Sequence, residues 1–303
     1  MLRISALILL FLTLGSAASA QSDEDIAAAR LTYIAGDYAT ALSILRPAAE
    51  AGNAMAQNIV GAAHENGHGV AADMDVAMQW YERSAAQDFP RAIHNLGLIY
   101  ENGASGIAVD LPKAIAFYDR AIALDYAPSL NNRGYMHELG KGGDVDIDAA
   151  IDLYDRAAEL GNVLAMNNLG QLYVNHPDAP EEMGEALDLF RAAAETGDPT
   201  GLNNLGAMYA NGYGVGQDRL AAMGLYRMAA ERQHGQAANN LAYQLSDPDS
   251  AFVDPEQAMG WCYLSIDWAK PADVEDFRAA CDEIAEGLDQ ETVAAGIEWA
   301  RNW

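Results

Sequence analysis

The chain has 303 residues, of which 51% are hydrophobic and 20% charged, so it is long and apolar enough to bury an extended core. Acidic residues outnumber basic ones by 44 to 17, which gives a formal net charge of −27 at pH 7. Proteins hold nucleic acid phosphates with clustered Lys and Arg. This composition therefore excludes a nucleic acid as the expected partner.

The amino terminus has the pattern of a secretory signal peptide. Arg3 precedes an apolar run, Ile4–Leu14, and a stretch of small residues follows at Gly15–Ala20. The run is shorter than the roughly 20 residues that a membrane-spanning helix needs, and Gln21 offers no site for a lipid anchor. The sequence predicts cleavage of residues 1–20, a periplasmic or secreted location and no membrane insertion afterwards. An uncleaved membrane anchor is the alternative.

Three residue series recur along the chain with a period of 36 or 37 residues. The first is an alanine in each unit: Ala41, Ala77, Ala114, Ala150, Ala186, Ala222 and Ala258. The second is a small residue: Gly61, Gly97, Gly134, Gly170, Gly206 and Ala242. The third is an aromatic ring: Tyr81, Tyr118, Tyr154, Phe190 and Tyr226. Self-similarity at a fixed period of this length is typical of a solenoid built from repeated units.

Each unit is predicted to contain two helices. In the first, Leu169, Gly170 and Tyr173 lie on one helical face, and the second contains Ala186 and Phe190. A small residue on each helix allows the backbones to approach, and the ring fills the space beside the crossing. Glycine turns connect the helices, and an acidic residue suited to cap the second helix follows each turn.

This pattern resembles the Sel-1-like repeat family, which is related to the tetratricopeptide repeat. The segment Asn203–Val215, continued by Ala222 and by Tyr226–Ala230, is similar to the family unit almost throughout. The resemblance implies an all-α fold, an α/α superhelical solenoid of about six repeats over residues 53–270.

Both ends of the chain depart from the repeat. Residues 21–52 look like a tetratricopeptide-type helix pair that serves as the amino-terminal cap. The period fails after Lys270, and residues 271–303 are predicted to form a helical carboxy-terminal cap, because a terminal repeat leaves one apolar face without a neighbour. In the fourth repeat, Asn175–Pro180 replaces the glycine turn, which leaves the local curvature open.

No arrangement typical of catalysis occurs in the sequence, and we expect no catalytic residue, no metal site and no cofactor. His64 and His137 share the register of core tyrosines, which favours packing. Asp144, Asp146 and Asp148 alternate as at the start of a calcium loop, but Ala149 stands where such a loop needs glycine. Helix capping is the favoured interpretation of these aspartates, with calcium binding as the alternative.

Cys262 and Cys281 are the two cysteines of the chain. Cys262 occupies the core position of the ring series, and Cys281 falls on the first helix after the repeats. Because exported proteins meet an oxidising compartment, we predict a disulfide between them. Two buried thiols are the alternative.

Two asparagine series follow the first helices. One series, expected to face a concave groove, lies two positions before a recurring position of the first helices that is leucine in most repeats: Asn58, His94, Asn131, Asn167, Asn203 and Asn239. The next residue in most repeats is also asparagine, at Asn95, Asn132, Asn168, Asn204 and Asn240, and is predicted to bridge neighbouring repeats. The groove set can bind a ligand, because an amide both donates and accepts hydrogen bonds, or it can maintain the repeat geometry. Both interpretations stay open.

Groove positions one turn further along add Tyr135, Gln171 and Tyr243 to the candidate binding residues. Glu65, Glu101 and Glu138 make the amino-terminal half of the predicted groove acidic. By resemblance, the expected function is a non-enzymatic scaffold that binds a protein or peptide on the concave face. The alternative is a protein that binds an envelope polymer such as peptidoglycan, or a weak hydrolase of peptidoglycan or β-lactams.

Overall fold

The computed structural model describes residues 22–176, 180–248 and 250–303. The predicted signal peptide and three of the six residues of the altered turn of the fourth repeat, 177–179, lie outside these residues. In the described part, sixteen α-helices follow one another without a named strand. Their bounds are α1 Asp23–Ile34, α2 Tyr38–Glu50, α3 Ala54–Asn66, α4 Met74–Ala85, α5 Pro90–Asn102, α6 Leu111–Ile122, α7 Ala127–Glu138, α8 Ile147–Glu159, α9 Val163–Asn175, α10 Pro180–Glu195, α11 Pro199–Asn211, α12 Arg219–Ala230, α13 Gly235–Ser246, α14 Pro255–Asp267, α15 Val274–Glu286 and α16 Gln290–Arg301.

The helices form two compact units, one that ends at Leu124 and one that spans Asp125–Trp303. Within each unit, consecutive helices pack against one another up to α15, and α16 packs against α14. We name α3, α5, α7, α9, α11 and α13 the first helices of the repeats, and α4, α6, α8, α10, α12 and α14 the second helices. None of the helices described by the structure combines the length and the apolar character needed to cross a bilayer. The prediction of an all-α solenoid is confirmed.

In each of the first five repeats, the aromatic ring of the second helix lies directly against the glycine of the first. A Cβ atom on any of these five glycines would come within 2.6 to 2.9 Å of a ring carbon. Side-chain atoms do not approach so closely without displacing one another, so glycine at this position is a requirement of the ring contact. The rings themselves are fully or almost fully buried.

The sixth repeat departs from this pairing at both positions together. Ala242 replaces the glycine and Cys262 replaces the ring, and both are fully buried in the same apolar cluster. A smaller partner on the second helix leaves room for a methyl group on the first. The two substitutions therefore preserve the volume of the contact.

Local signals set the ends of the helices as the sequence predicts. Aspartates cap the second helices α4, α6, α8, α12 and α14. Asp146, for example, accepts a hydrogen bond from the backbone N–H of Ala149 at 3.0 Å, and Asp218 accepts one from Ala221 at 2.9 Å. Gly67 and Gly212 end α3 and α11 with φ values of 72° and 73°, a backbone conformation that costs glycine little.

Two helices follow the last repeat and cover its end, as predicted for the carboxy-terminal cap. Helix α14 packs against both α15 and α16. The structure brings Cys262 and Cys281 together with their Cα atoms 5.5 Å apart, a separation typical of a disulfide. The cap also gathers rings, since Trp261 is buried with its ring centroid 5.2 Å from Trp299 and 4.9 Å from Trp303.

The contact between glycine and ring predicts that Gly134→Ala destabilises the protein, although alanine is the better helix former. The new methyl group would lie 2.8 Å from the Tyr154 ring, and overpacking of this kind costs about 1–3 kcal/mol. The matched control is Gly224→Ala on α12, where a Cβ meets no atom within 4 Å. We expect the control to be neutral or stabilising by up to about 1 kcal/mol. Urea denaturation of both variants measures the difference, and equal behaviour of the two would contradict the ring constraint.

Candidate binding face

The two asparagine series form hydrogen bonds with each other from one repeat to the next. In the first unit, Asn95 donates from Nδ2 to Oδ1 of Asn58 at 3.1 Å. In the second unit, Asn168 donates to Asn131 and Asn240 donates to Asn203, both at 2.9 Å. The prediction that the later asparagine bridges neighbouring repeats is therefore confirmed by these three bonds.

The earlier series is buried, which corrects the expectation that it lies open in a groove. The residues of this series are only 4 to 8% exposed to solvent: Asn58, His94, Asn131, Asn167, Asn203 and Asn239. Some of their amides also bond within their own helix or to a helix start. Asn203 donates to Asn204 at 3.2 Å, and Asn167 donates to Asp198, the N-cap of α11, at 2.8 Å. These side chains belong to the interface between repeats.

The physical reason for this difference is the number of neighbours that a first helix has. The helical periodicity alone predicts a core on one face of each first helix and solvent on the opposite face. In the structure, α9 packs against α8, α10 and α11. The side opposite the core of one helix pair is therefore covered by the adjoining pair.

His94 stands where the asparagine series is broken. Its ring lies 5.5 Å from the ring of Tyr118, between centroids. Burial, together with the positive charge of Arg91, lowers the pKa of His94 to about 4, so the ring is neutral near pH 7. A neutral histidine replaces an amide here without placing a charge in the interface.

A second polar contact, between tyrosine and glutamate, was not predicted. The hydroxyls of Tyr81, Tyr118 and Tyr154 donate to Glu65, Glu101 and Glu138 at 2.5, 2.7 and 2.7 Å. Burial and the bonded carboxylate raise the pKa of Tyr154 well above its ordinary value. The sequence contains a signal for this contact, because the fourth repeat loses both partners at once: Phe190 replaces the tyrosine and Val174 the glutamate.

These bonds fix the side chains that were expected to make the amino-terminal half of the groove acidic. Glu65, Glu101 and Glu138 are each half-buried, and each is held by the ring of its own repeat. In the fifth repeat, Ala210 stands at the glutamate position, and burial alone raises the pKa of Tyr226 to about 12. The tyrosine hydroxyl and the glutamate carboxylate thus occur together in three of the five repeats whose second helix has an aromatic ring.

The remaining predicted binding residues are exposed, and all of them lie on first helices of the second unit. Tyr135 on α7 is 42% exposed and Tyr243 on α13 is 39% exposed, while Gln171 on α9 is also exposed. The three occupy equivalent positions of their repeats, since their separations are multiples of 36 residues. We name Tyr135, Gln171 and Tyr243, with the half-buried Ala207 at the same position of α11, the first-helix face.

Local contacts restrict the exposed side chains of this face. The Lys141 ammonium lies 5.1 Å from the centroid of the Tyr135 ring, within range of a cation–π contact. The Tyr243 hydroxyl donates to Glu283 of α15 at 3.3 Å, and the Gln171 amide donates to Asn175 at 3.0 Å. These contacts lower the entropy that each side chain would lose on binding.

Two of the three aspartates weighed for calcium binding belong to the start of a helix. Asp146 caps α8, and Asp148 lies in its first turn. His68 stacks on Tyr38 with 4.3 Å between ring centroids, and its Nδ1 lies 3.1 Å from the Tyr33 hydroxyl. Within residues 22–176, 180–248 and 250–303, no group of three or more His, Cys, Asp or Glu side chains is placed to hold a metal ion.

Six consecutive segments match the family model described as Sel1 repeat. The matched residues are 54–89, 90–126, 127–162, 163–198, 199–234 and 235–267. Among curated proteins, no sequence matches this chain.

Two solved structures show the same repeat. The chain is similar to the Sel1 repeat protein from Oxalobacter formigenes, with 28% identity and a TM-score of 0.67 over 80% of this chain and 97% of that one. It is also similar to c5321, a protective antigen present in uropathogenic Escherichia coli strains that displays an SLR fold. That match has 26% identity and a TM-score of 0.69, and it covers 93% of this chain and 62% of the antigen, which is under two thirds of the antigen's length.

The bonded asparagines predict a loss of stability when the earlier series is changed. Asn203→Ala leaves the Asn240 amide without its acceptor inside the interface, which costs about 1–3 kcal/mol. Gln171→Ala, on the same kind of helix but exposed, should stay within about 0.5 kcal/mol. A double-mutant cycle of Asn203 and Asn240 by urea denaturation should give a coupling energy of about 1 kcal/mol. Unchanged stability of Asn203→Ala would show that the bond contributes nothing.

Proposed function

Because the chain belongs to the Sel1 repeat family, whose members commonly act as protein-interaction scaffolds, we propose that it is a non-enzymatic scaffold that binds a protein or peptide partner. The partner contacts the first-helix face of the second unit. The exposure of Tyr135 and Tyr243 carries this proposal. Tyrosine supplies a large amphipathic contact area and is enriched at the energetic centres of protein interfaces.

The burial of the asparagine series supports the same assignment by elimination. Six of the nine residues expected to bind are enclosed between repeats, so a partner that docks without opening these interfaces meets Tyr135, Gln171 and Tyr243 instead. These side chains stand on helices whose packing fixes their positions. A rigid face of this kind loses little conformational entropy on binding. No feature of the described residues favours the alternative of an envelope-polymer binder or hydrolase.

Photo-crosslinking tests the face directly. p-Benzoylphenylalanine at position 135 or 243 should crosslink the partner in cells, and the same group at position 213 should not. Tyr213 is the matched control, since it is 44% exposed in the turn between α11 and α12 and lies off the first-helix face. Once the partner is identified, Tyr135→Ala and Tyr243→Ala should each weaken binding by about tenfold, whereas Tyr213→Ala should not. Equal crosslinking from position 213 would exclude this face as the site.

The proposal places the scaffold outside the cytoplasm, on the basis of the signal-like segment 1–20, which lies outside the described residues. We expect the chain from a periplasmic or secreted fraction to begin at Gln21. We also expect it to show no free thiol after unfolding until a reductant is added, because Cys262 and Cys281 are paired. Intact-mass measurement and thiol titration test both points. A chain that begins at Met1 in that fraction, or two thiols that react without a reductant, would contradict the respective expectation.

A further inference from the structure

A small pocket in the first unit concentrates positive charge in a strongly acidic chain. It is formed by α1, by α3 and by the start of α5, and its volume is about 130 Å³. The lining residues are Arg30, Met55, Asn58, Ile59, Phe89 and Arg91. We name it the arginine pocket.

The two guanidinium groups of the arginine pocket are available to a ligand. Arg30 and Arg91 are both exposed at the pocket rim, and neither is in an ion pair with a described residue. Most charges of this chain are negative, with 44 acidic against 17 basic residues. Two unpaired arginines at one cavity therefore mark a place where an anionic group is favoured over a cationic one.

A buried amide adds a hydrogen-bond donor to the same pocket. Asn58 is 4% exposed, and its Oδ1 accepts from Asn95 at 3.1 Å. At the equivalent position of α11, Asn203 donates its Nδ2 to Asn204, but the residue after Asn58 is Ile59. The hydrogen bond from Asn95 engages the Oδ1 of Asn58, and no bond from its Nδ2 to a described residue accompanies it.

The start of helix α5 contributes to the same charge preference. Phe89 is the N-cap residue, and its side chain makes no capping hydrogen bond. Pro90 at the first helical position has no N–H, and the N–H groups of Ala92 and Ile93 bond to the Phe89 carbonyl. The partial positive charge of this helix start therefore reaches a ligand mainly through the Arg91 N–H. Phe89 and Arg91 both line the pocket, so the start of the 13-residue helix α5 lies at its wall.

We propose that the arginine pocket binds the C-terminal carboxylate of a peptide whose last residue is small and aliphatic. The carboxylate lies between Arg30 and Arg91 and accepts from Nδ2 of Asn58. The last side chain packs against Met55 and Ile59. The cavity has room for roughly four water molecules, which suits a carboxylate with a short apolar stem. This site lies in the first unit and does not depend on the first-helix face of the second.

Methyl NMR of the full mature chain tests the pocket without knowledge of the natural partner. The protein is labelled with ¹³C-methyl methionine, and Met55→Leu assigns the Met55 signal. The probes are acetyl-Ala-Ala-Val with a free carboxylate, the same peptide as its C-terminal amide, and isobutyrate. The acid should shift the Met55 signal in a saturable manner, and the amide should bind at least about tenfold more weakly, because it lacks the charge that the arginines recognise.

Two variants give the matched comparison. Arg30→Gln/Arg91→Gln should lose the response to the acid, and Arg46→Gln, an exposed arginine of α2 in the same unit, should keep it. Circular dichroism of both variants verifies that they are folded. Equal titration by acid and amide, or an unchanged response in the double variant, would overturn the proposal. Isobutyrate binding as tightly as the peptide would show a site for small free carboxylates and would overturn the assignment to a peptide terminus.

Discussion

Each repeat depends on the contact between a ring on its second helix and a bare Cα on its first. The ring lies so close to the glycine that a methyl group there would clash, and this fixes both the distance and the rotation of the two helices. Once these are fixed, the remaining positions of each helix have determined neighbours. The sixth repeat supports this dependence. Ala242 is larger than the glycine of the other repeats and Cys262 is smaller than their ring, so the contact stays filled.

The rotation of the two helices that this contact sets also determines which polar residues are exposed to solvent. It turns the earlier asparagine series toward the adjoining repeat, where Asn131 and Asn203 accept hydrogen bonds from Asn168 and Asn240. An unpaired amide in such a place would cost more than a bonded one contributes. The amides therefore specify the register between repeats, and the exposed side chains Tyr135, Gln171 and Tyr243 lie one turn further along the same helices.

The sequence was sufficient to predict the features that repeat and insufficient for those that depend on three helices at once. Gly206 and Tyr226 could be paired from the period alone, and Asp146 could be recognised as a cap from the turn before it. Asn203 could not be placed correctly, because its burial depends on the neighbouring helix pair. The pairing of Tyr154 with Glu138 was readable in principle, since Phe190 and Val174 replace both partners together, whereas nothing in the sequence relates Arg30 to Arg91.

The distribution of charge limits what kind of peptide the chain can accept. With a net charge of −27, the molecule repels acidic partners that come within the electrostatic screening length, which is about 8 Å at physiological ionic strength. A partner whose body is neutral or basic avoids this repulsion, and a single terminal carboxylate remains acceptable where two arginines neutralise it locally. Glu65 and Glu101, held by their tyrosines in the same unit, disfavour further acidic side chains. Selectivity in the first unit then follows from a difference in binding free energy. A peptide with a single terminal carboxylate places its charge at the two arginines, whereas a peptide with further acidic side chains also places charges near the fixed carboxylates.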